Sequence, residues 1–567
     1  MASALQTIHE KVAGTGTASA SKDGASAYET AACAATDHHS SSAPGAAGNS
    51  ASADGADANT AESTTADATS TAAGQSRFVL VYHRSPYDEQ IDAQGQRHWA
   101  DQKSPNGIIP TLRNLFRQEQ GGTWISWRQD AEAASDADER LQLDGPGGDS
   151  DLHFCLRRLP LTPEQISSFY HVTSKESFWP ILHSFPGLFS VDNADWATFE
   201  AVNRSFARAA CEEAAPGATI WIHDYNLWLT PGFIREQRPD VRIAFFHHTP
   251  FPSSDVFSIL PWRDAILDSL LSCDLVGFHI PRYANNFART AINLRGVQGG
   301  SPVPVEAKFR ATGSALAEPT AVPWLEHSGR RVHLLASPVG TAPALLRQIA
   351  GSEPVRATGA QIAEQHSGRK LILSASRVDY TKGNEEMLLA YERLLEQQPG
   401  WHGRVELFLA CVAAASGMRI YEDIQRSVEE IVGRINGRFG RIDWTPIRLS
   451  TRRIPYDELL AWFGQADVCW ITPLRDGLNL VAKEYVAVRQ QQGGVLVLSE
   501  FTGVSVELED AVLTNPYSHR SMDAAILQAL EMPEAEQRQR MSRMGEAVDQ
   551  FTVSHWADQQ LGALRNL

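Results

Sequence analysis

From Arg77 onward the chain keeps switching between short apolar runs, rich in β-branched and aromatic residues, and longer stretches with helical spacing. This alternation limits the available folds more than any other feature, because strands separated by helices pair in parallel, with the helices packed on the sheet faces. Phe78–Tyr82, Ala218–Ile222, Val241–Phe246 and Leu275–Phe278 read as strands of one series, and Ile108 to Phe116 begins a helix after the turn Ser104-Pro105-Asn106-Gly107. A second series starts near His333-Leu334-Leu335 and continues through Lys370–Ser374, Val405–Leu409, Val468–Ile471 and Gly494–Leu498. Two doubly wound α/β domains are expected, over 76–335 and 336–545, followed by a last helix in 546–567 anchored at His555-Trp556. Residues about 129–152, 298–331 and 351–368 read as surface excursions, the first two as hairpins or lids.

Residues 1–75 are different material, dominated by Ala, Ser, Thr, Gly and Asp. Such a segment buries too little apolar surface to offset its ordering entropy, so a disordered tail is expected. It lacks the apolar core of a secretory leader and is acidic where a transit peptide would be Arg-rich. No later window approaches the roughly 20 apolar residues that span a bilayer. A cytoplasmic protein without membrane contact is expected.

With 43% hydrophobic residues and 14 Trp, the remainder can fill sizeable cores. A net charge of −17 makes the surface a poor platform for nucleic acid, so any phosphate must be gripped by a few placed cations. Cys33, Cys155, Cys211, Cys273, Cys411 and Cys469 show no Cys-x-x-Cys spacing or clustered His. They read as reduced thiols, with neither a zinc site nor a disulfide framework.

In open parallel sheets ligands collect at the C-terminal ends of strands, so the polar residues there matter most. The apolar run Trp470–Leu474 leads into Asp476-Gly477-Leu478-Asn479-Leu480-Val481-Ala482-Lys483-Glu484, where a helix opening near Leu480 would offer unpaired N–H groups to a phosphate. On this segment alone, a capped helix with Asp476 as the cap and Glu484 solvated serves equally well. Arg377 and Lys382, five residues apart after the strand Lys370–Ser374, add a bidentate fork and a point charge that can grip a diphosphate from two directions. Together with the helix N-terminus they would stabilise a departing diphosphate. Taken singly, each has a plainer reading, Arg377 as a partner of Asp379 and Lys382 as a surface charge.

Four ordered motifs carry a resemblance: Trp221-Ile222-His223-Asp224-Tyr225, Phe245-Phe246-His247-His248-Thr249-Pro250-Phe251-Pro252, Arg377-Val378-Asp379-Tyr380-Thr381-Lys382-Gly383, and Asp476 to Glu484. With them the chain after residue 76 resembles the trehalose-phosphate synthase family of retaining glycosyltransferases. The resemblance implies the glycosyltransferase B fold, two Rossmann-like domains facing across a cleft, with the last helix crossing back to the N-terminal domain. It implies a nucleotide sugar held mainly by the C-terminal domain and a small phosphorylated acceptor held mainly by the N-terminal one. Carried over by residue, Arg377 and Lys382 match donor diphosphate ligands and Glu484 the carboxylate that binds ribose. Asp476 and His248 match groups holding the transferred glucose, and these two with Arg377 and Lys382 form the expected catalytic group. Gly107 and the backbone at Leu480 and Val481 would approach the donor, and the nucleotide base would be read around Ile454. Asp224, Arg84, Tyr170 and Trp179 match acceptor positions. The implied mechanism is a front-face displacement in which the leaving diphosphate takes the acceptor's proton, with no enzyme nucleophile, metal or cofactor.

The chain also departs from the pattern. Where trehalose-phosphate synthases usually carry Pro-Thr-Ser-Arg, with the Arg on the sugar phosphate, this chain reads Cys411 to Met418 and the Arg position falls on Ala415. Losing that cation would forfeit a few kcal/mol, so the acceptor is expected to sit differently. This departure, with Tyr82–Tyr87 and Lys103–Ile108, resembles the glucosylglycerol-phosphate-forming branch, which joins glucose from ADP-glucose to glycerol 3-phosphate. A separate phosphatase would then release a compatible solute, and a homo-oligomer remains open. The alternatives are a trehalose-6-phosphate synthase using UDP- or ADP-glucose with glucose 6-phosphate, and an inactive sugar-phosphate sensor. Gly437–Arg441 reads as the end of a helix that begins near Tyr421, and Cys273 as a core thiol.

Overall fold

The computed structural model describes residues 75–567 apart from 93, 95, 101–107, 120, 130–136, 146–148, 307, 308, 310–312, 367 and 414–417. The tail, the expected donor contact at Gly107 and the departure at Ala415 lie outside the described residues.

Seven parallel strands form the body of a ten-stranded sheet: β1 (Ser76–Val81), β2 (Thr123–Gln129), β3 (Asp149–Leu161), β4 (Ala214–His223), β5 (Arg242–His247), β6 (Leu275–Phe278) and β7 (Arg330–Ala336). Their spatial order is β7-β6-β5-β4-β1-β2-β3, and antiparallel strands Glu139–Gly145 and Trp324–His327 flank the two ends. A second sheet has six parallel strands, β8 (Lys370–Arg377), β9 (Val405–Val412), β10 (Ile447–Ser450), β11 (Val468–Ile471), β12 (Val495–Ser499) and β13 (Val512–Thr514), in the order β10-β9-β8-β11-β12-β13. Both sheets reverse direction beside their first strand, which is the doubly wound pattern. Phe78 to Val81 and Val468 to Trp470 are buried on both faces, which is why these strands read as continuous apolar runs.

Helix α1 (Ile108–Gln118) shows the complementary logic, burying Ile109, Leu112, Leu115 and Phe116 from one face. One apolar core joins Leu80, Trp221 and Phe246 of the first sheet to Leu373, Cys469 and Leu498 of the second. The last helix, α4 (Val553–Arg565), completes this core. Its Trp556 is fully buried, stacks on Trp221 with ring centroids 5.3 Å apart and meets Phe246 edge-on at 5.1 Å. Gln118 donates to Asp558 at 3.1 Å, and Ser337 donates to Gln559 at 2.6 Å. No helix among the described residues is long and apolar enough to cross a membrane.

Two expectations need correction. The run His333–Leu335 belongs to β7, which pairs in parallel with β6 and closes the first series. Its apolar pattern is common to both series, and only the long-range pairing assigns its sheet. Residues 351–368 are no excursion, because Glu353–Gln365 is a helix that buries Val355 and Ile362 against the helix Tyr456–Gln465. The polar surface of that helix masked a sparse apolar face. The stretch 129–152 does contribute a hairpin, Glu139–Gly145 paired with β3.

Candidate active site

The loop after β8 is folded by its own polar groups. Asp379 accepts from the Thr381 N–H at 2.9 Å, and Gly383 turns into helix α2 (Asn384–Gln397) with φ +65°. A Cβ at Gly383 would lie 2.1 Å from the Thr472 carbonyl oxygen, so only glycine lets this loop press against the end of β11. Leu474 N–H donates to the Thr381 carbonyl at 2.7 Å and fastens the two loops together. Lys382 is thereby held beside the residues that follow β11.

Helix α3 (Leu480–Arg489) begins at that second loop. Its cap is Asn479, whose side-chain oxygen accepts from the Ala482 N–H at 3.1 Å. Asp476 is therefore not the cap. Its carboxylate instead accepts from the Lys382 ammonium at 2.8 Å and from the Asn479 amide at 3.1 Å. Removal from water would raise the Asp476 carboxyl, but the Lys382 charge and these hydrogen bonds outweigh that and hold it below its ordinary value. Asn479 sits at φ +85°, a conformation that is uncommon outside glycine and that Asn tolerates better than most residues.

The first sheet supplies the opposite wall. His248 follows β5, and its Nε2 lies 3.1 Å from Nδ1 of His223, at the end of β4. A Cβ on Gly477 would come within 2.8 Å of the His248 carbonyl oxygen, so the backbones of the two walls touch there. Tyr283 OH donates to the Asp476 carbonyl at 3.0 Å. Burial lowers His223 and His279 to about 3, and burial with neighbouring imidazoles pushes His248 well down as well. The cluster is neutral at physiological pH and can exchange hydrogen bonds with hydroxyl groups without adding charge.

Between these walls lies a cavity of about 580 Å³. It brings together Arg377, Lys382, Asp476 and His248 with Ile454, Leu480, Val481 and Glu484. Glu484 is 5% exposed, and burial alone raises its carboxyl to about 8. Arg377 stands exposed at the end of β8 and makes no ion pair with Asp379. Sequence reasoning missed Tyr82, Ser376, Arg453, Tyr456, Asn479 and His279 as further lining residues. Tyr456 lies two positions from Ile454 and was within reach of a closer reading, whereas His279 comes in only through the pairing of β6 with β5.

The four expected acceptor residues do not line this cavity, but they gather beside it. Arg84 Nη2 donates to Tyr170 OH at 3.2 Å, and Trp179 follows the π-helical segment Ser167–Phe178 that carries Tyr170. Asp224 has φ +72° and ψ 159°, a strained conformation for a residue with a side chain, and accepts from the Tyr225 N–H at 3.0 Å. Burial raises its carboxyl to about 6, against the opposing charges of Lys175 and Arg84. Tyr82 joins the two groups, since it lines the cavity and lies in the field of Arg84, Asp224 and Tyr170.

The sequence profile of glycosyltransferase family 20 matches residues 76–566. The chain is 50% identical over 487 residues to the glucosylglycerol-phosphate synthase of Synechocystis sp., covering 86% of this chain and 97% of that one. It is also 50% identical over 485 residues to the enzyme of the same name from Picosynechococcus sp., covering 85% and 96%. Among solved structures, an α,α-trehalose-phosphate synthase (UDP-forming) from Burkholderia xenovorans, in complex with glucose 6-phosphate, superposes with a TM-score of 0.74 at 28% identity. That match covers 86% of this chain and all of the other. With its two facing Rossmann-like domains, the chain belongs to glycosyltransferase family 20 and is a glycosyltransferase of the B fold.

Proposed function

We propose that this chain transfers glucose from ADP-glucose to glycerol 3-phosphate with retention of configuration, giving glucosylglycerol phosphate. The observation that carries the reading is the Lys382–Asp476 pair at the N-terminus of α3, in a cavity that ends on the buried carboxyl of Glu484. In this reading Arg377, Lys382 and the first N–H groups of α3 hold the donor diphosphate and stabilise the charge that develops as it leaves. Asp476 orients the glucose through its hydroxyl groups and shares Lys382 with the diphosphate. His248, held neutral, hydrogen-bonds the same sugar, and Glu484 accepts from the ribose hydroxyls. Ile454 flanks the base, and Gly107 approaches the donor from the first domain.

The acceptor enters from the side of Arg84, Tyr170, Trp179 and Asp224. The leaving diphosphate oxygen takes the proton of the attacking hydroxyl on the same face, so no covalent enzyme intermediate forms. The choice of donor and acceptor rests on the relatives at 50% identity that carry the glucosylglycerol-phosphate synthase name. The structural likeness to a trehalose-phosphate synthase bound to glucose 6-phosphate favours that sugar phosphate as the second reading.

One assay separates them. Purified protein is offered ADP-glucose or UDP-glucose with glycerol 3-phosphate or glucose 6-phosphate, while nucleotide release is followed and the product anomer is read by NMR. Turnover of ADP-glucose with glycerol 3-phosphate to an α-linked product is expected. Turnover with glucose 6-phosphate alone would replace this reading with the second, and silence with every pair would favour a sensor.

A further inference from the structure

Three cations stand close together at one edge of the cavity: Arg377, which lines it at the end of β8, Arg84 in the loop after β1 and Lys175 in the π-helical segment. Among the described residues none of the three has a carboxylate within ion-pairing distance, although most other arginines of this acidic chain do. The Lys175 ammonium instead lies 3.8 Å above the Trp179 ring and 5.8 Å from the centre of the Tyr170 ring. Aromatic faces stabilise a cation only in part and leave its N–H donors unused. The indole N–H of Trp179, a residue 7% exposed, also has no acceptor among the described residues. A positively charged corner with idle donors costs free energy while it is empty, and an anion that enters it recovers that cost.

We propose that Lys175 is a ligand of the acceptor's phosphate and the residue by which this chain selects a phosphorylated acceptor over its uncharged counterpart. The inference rests on the proposed acceptor side and extends it to a residue that no sequence motif marks. Arg84 reaches the same corner through its bond to Tyr170, so the phosphate would receive a guanidinium from one side and an ammonium from the other. Burial lowers Lys175 to about 8, with Arg377 and Arg84 acting in the same direction against Tyr170 and Asp379. A dianion would hold the proton on, so phosphate binding should weaken as pH rises past that value in the free enzyme.

The test measures binding and turnover separately on the full chain. Calorimetry with glycerol 3-phosphate and with inorganic phosphate, in the presence of ADP, compares wild type with Lys175→Met and Lys175→Arg. Removing one charge-assisted contact should weaken phosphate binding roughly 10- to 100-fold in Lys175→Met, with ADP affinity unchanged. Lys175→Arg should keep most of the affinity. In turnover the loss should fall on the acceptor KM with kcat nearly constant, and the rise of that KM between about pH 7 and 9, to which the Tyr170 hydroxyl also contributes because, against its burial, Lys175 and Arg84 bring it down to about 8, should shrink. Equal phosphate affinity in wild type and Lys175→Met would overturn the inference. So would a loss of phosphate and ADP binding together in both variants, which would mark a structural role, or an absence of phosphate binding in wild type. A wild type that binds phosphate through Lys175 but turns over only another acceptor would defeat the proposed function and leave this inference standing.

Discussion

Lys382 and Asp476 stand on loops that follow two neighbouring strands of the second sheet, and their 2.8 Å contact ties those loops together in the cleft. Each side chain is 15% exposed, so the pair is shielded enough for its charge to matter. If Lys382 is shared with a departing diphosphate, Lys382→Ala should lower kcat roughly 100-fold or more, as loss of a transition-state charge partner does. Arg377→Ala should do the same. Stability gives an independent readout for Lys382. Asp476 is depressed below its ordinary value of 3.8, so its contribution is present above that pH and is lost as pH falls through the depressed value. The stability deficit of Lys382→Ala should therefore be about 1–3 kcal/mol near neutrality and shrink in acid, as measured by urea unfolding at a series of pH values. A deficit independent of pH, with turnover intact, would show that the pair is mere surface charge.

Glu484 works in the opposite sense. Its folded value is raised to about 8 from an ordinary 4.5, by burial alone. Between those values the native state holds a proton that the unfolded chain has released, so stability falls as pH rises across that window. Glu484→Gln removes this effect. Its advantage over wild type should grow from about pH 4.5 to about pH 8 and then level off, which thermal unfolding of the nucleotide-free protein at several pH values would show. The same variant should bind ADP roughly 10-fold or more weakly if the carboxylate accepts from ribose hydroxyls. An unchanged ADP affinity would remove Glu484 from the donor site.

Asn479 combines a cap with a positive φ, and the two demands separate by substitution. Asn479→Ala loses the hydrogen bond to the Ala482 N–H and places a side chain with no local compensation at φ +85°, so a loss of about 1–2 kcal/mol is expected. Asn479→Gly loses the same bond but adopts that φ without strain, and should cost less. The ordering is read from urea midpoints. Both variants remove the amide that steadies Asp476, so turnover should fall in both. Equal destabilisation by Ala and Gly would remove backbone strain from the explanation.

The doubly wound architecture was legible because strands buried on both faces leave unbroken apolar runs, as at Phe78–Val81 and Val468–Trp470. Arg377, Lys382 and Asp476 were legible because they stand where those runs end and the ligand side of a parallel sheet begins. The division of labour between Asp476 and Asn479 was not, since both residue types cap helices and only the 94-residue reach to Lys382 decides between them. Lys175 was invisible for a related reason. In Thr173-Ser174-Lys175-Glu176-Ser177 it looks like the solvated side of a helix, and nothing in that polar run shows that its ammonium lies over the Trp179 ring four residues on. The sheet that owns His333–Leu335 and the burial of Glu353–Gln365 depend likewise on partners far away in the chain.

Trp556 gives the last prediction, because one side chain joins the end of the chain to the sheet that begins it. It is fully buried between Trp221 and Phe246, and Trp221 lies 4.7 Å from the ring of His223, which in turn meets His248. Truncating a buried aromatic of this size costs about 3–5 kcal/mol, part in lost transfer energy and part in the cavity left behind. Trp556→Ala should therefore shift the urea midpoint, followed by far-UV circular dichroism, far below that of wild type. Trp556→Phe should recover much of the loss. Because the cavity opens beneath the His223–His248 contact, Trp556→Ala should also lower kcat at temperatures where the protein remains folded, while Trp556→Phe should not. A midpoint that scarcely moves in Trp556→Ala would mean that α4 is an accessory to the fold, and that the first sheet holds its histidines in place without it.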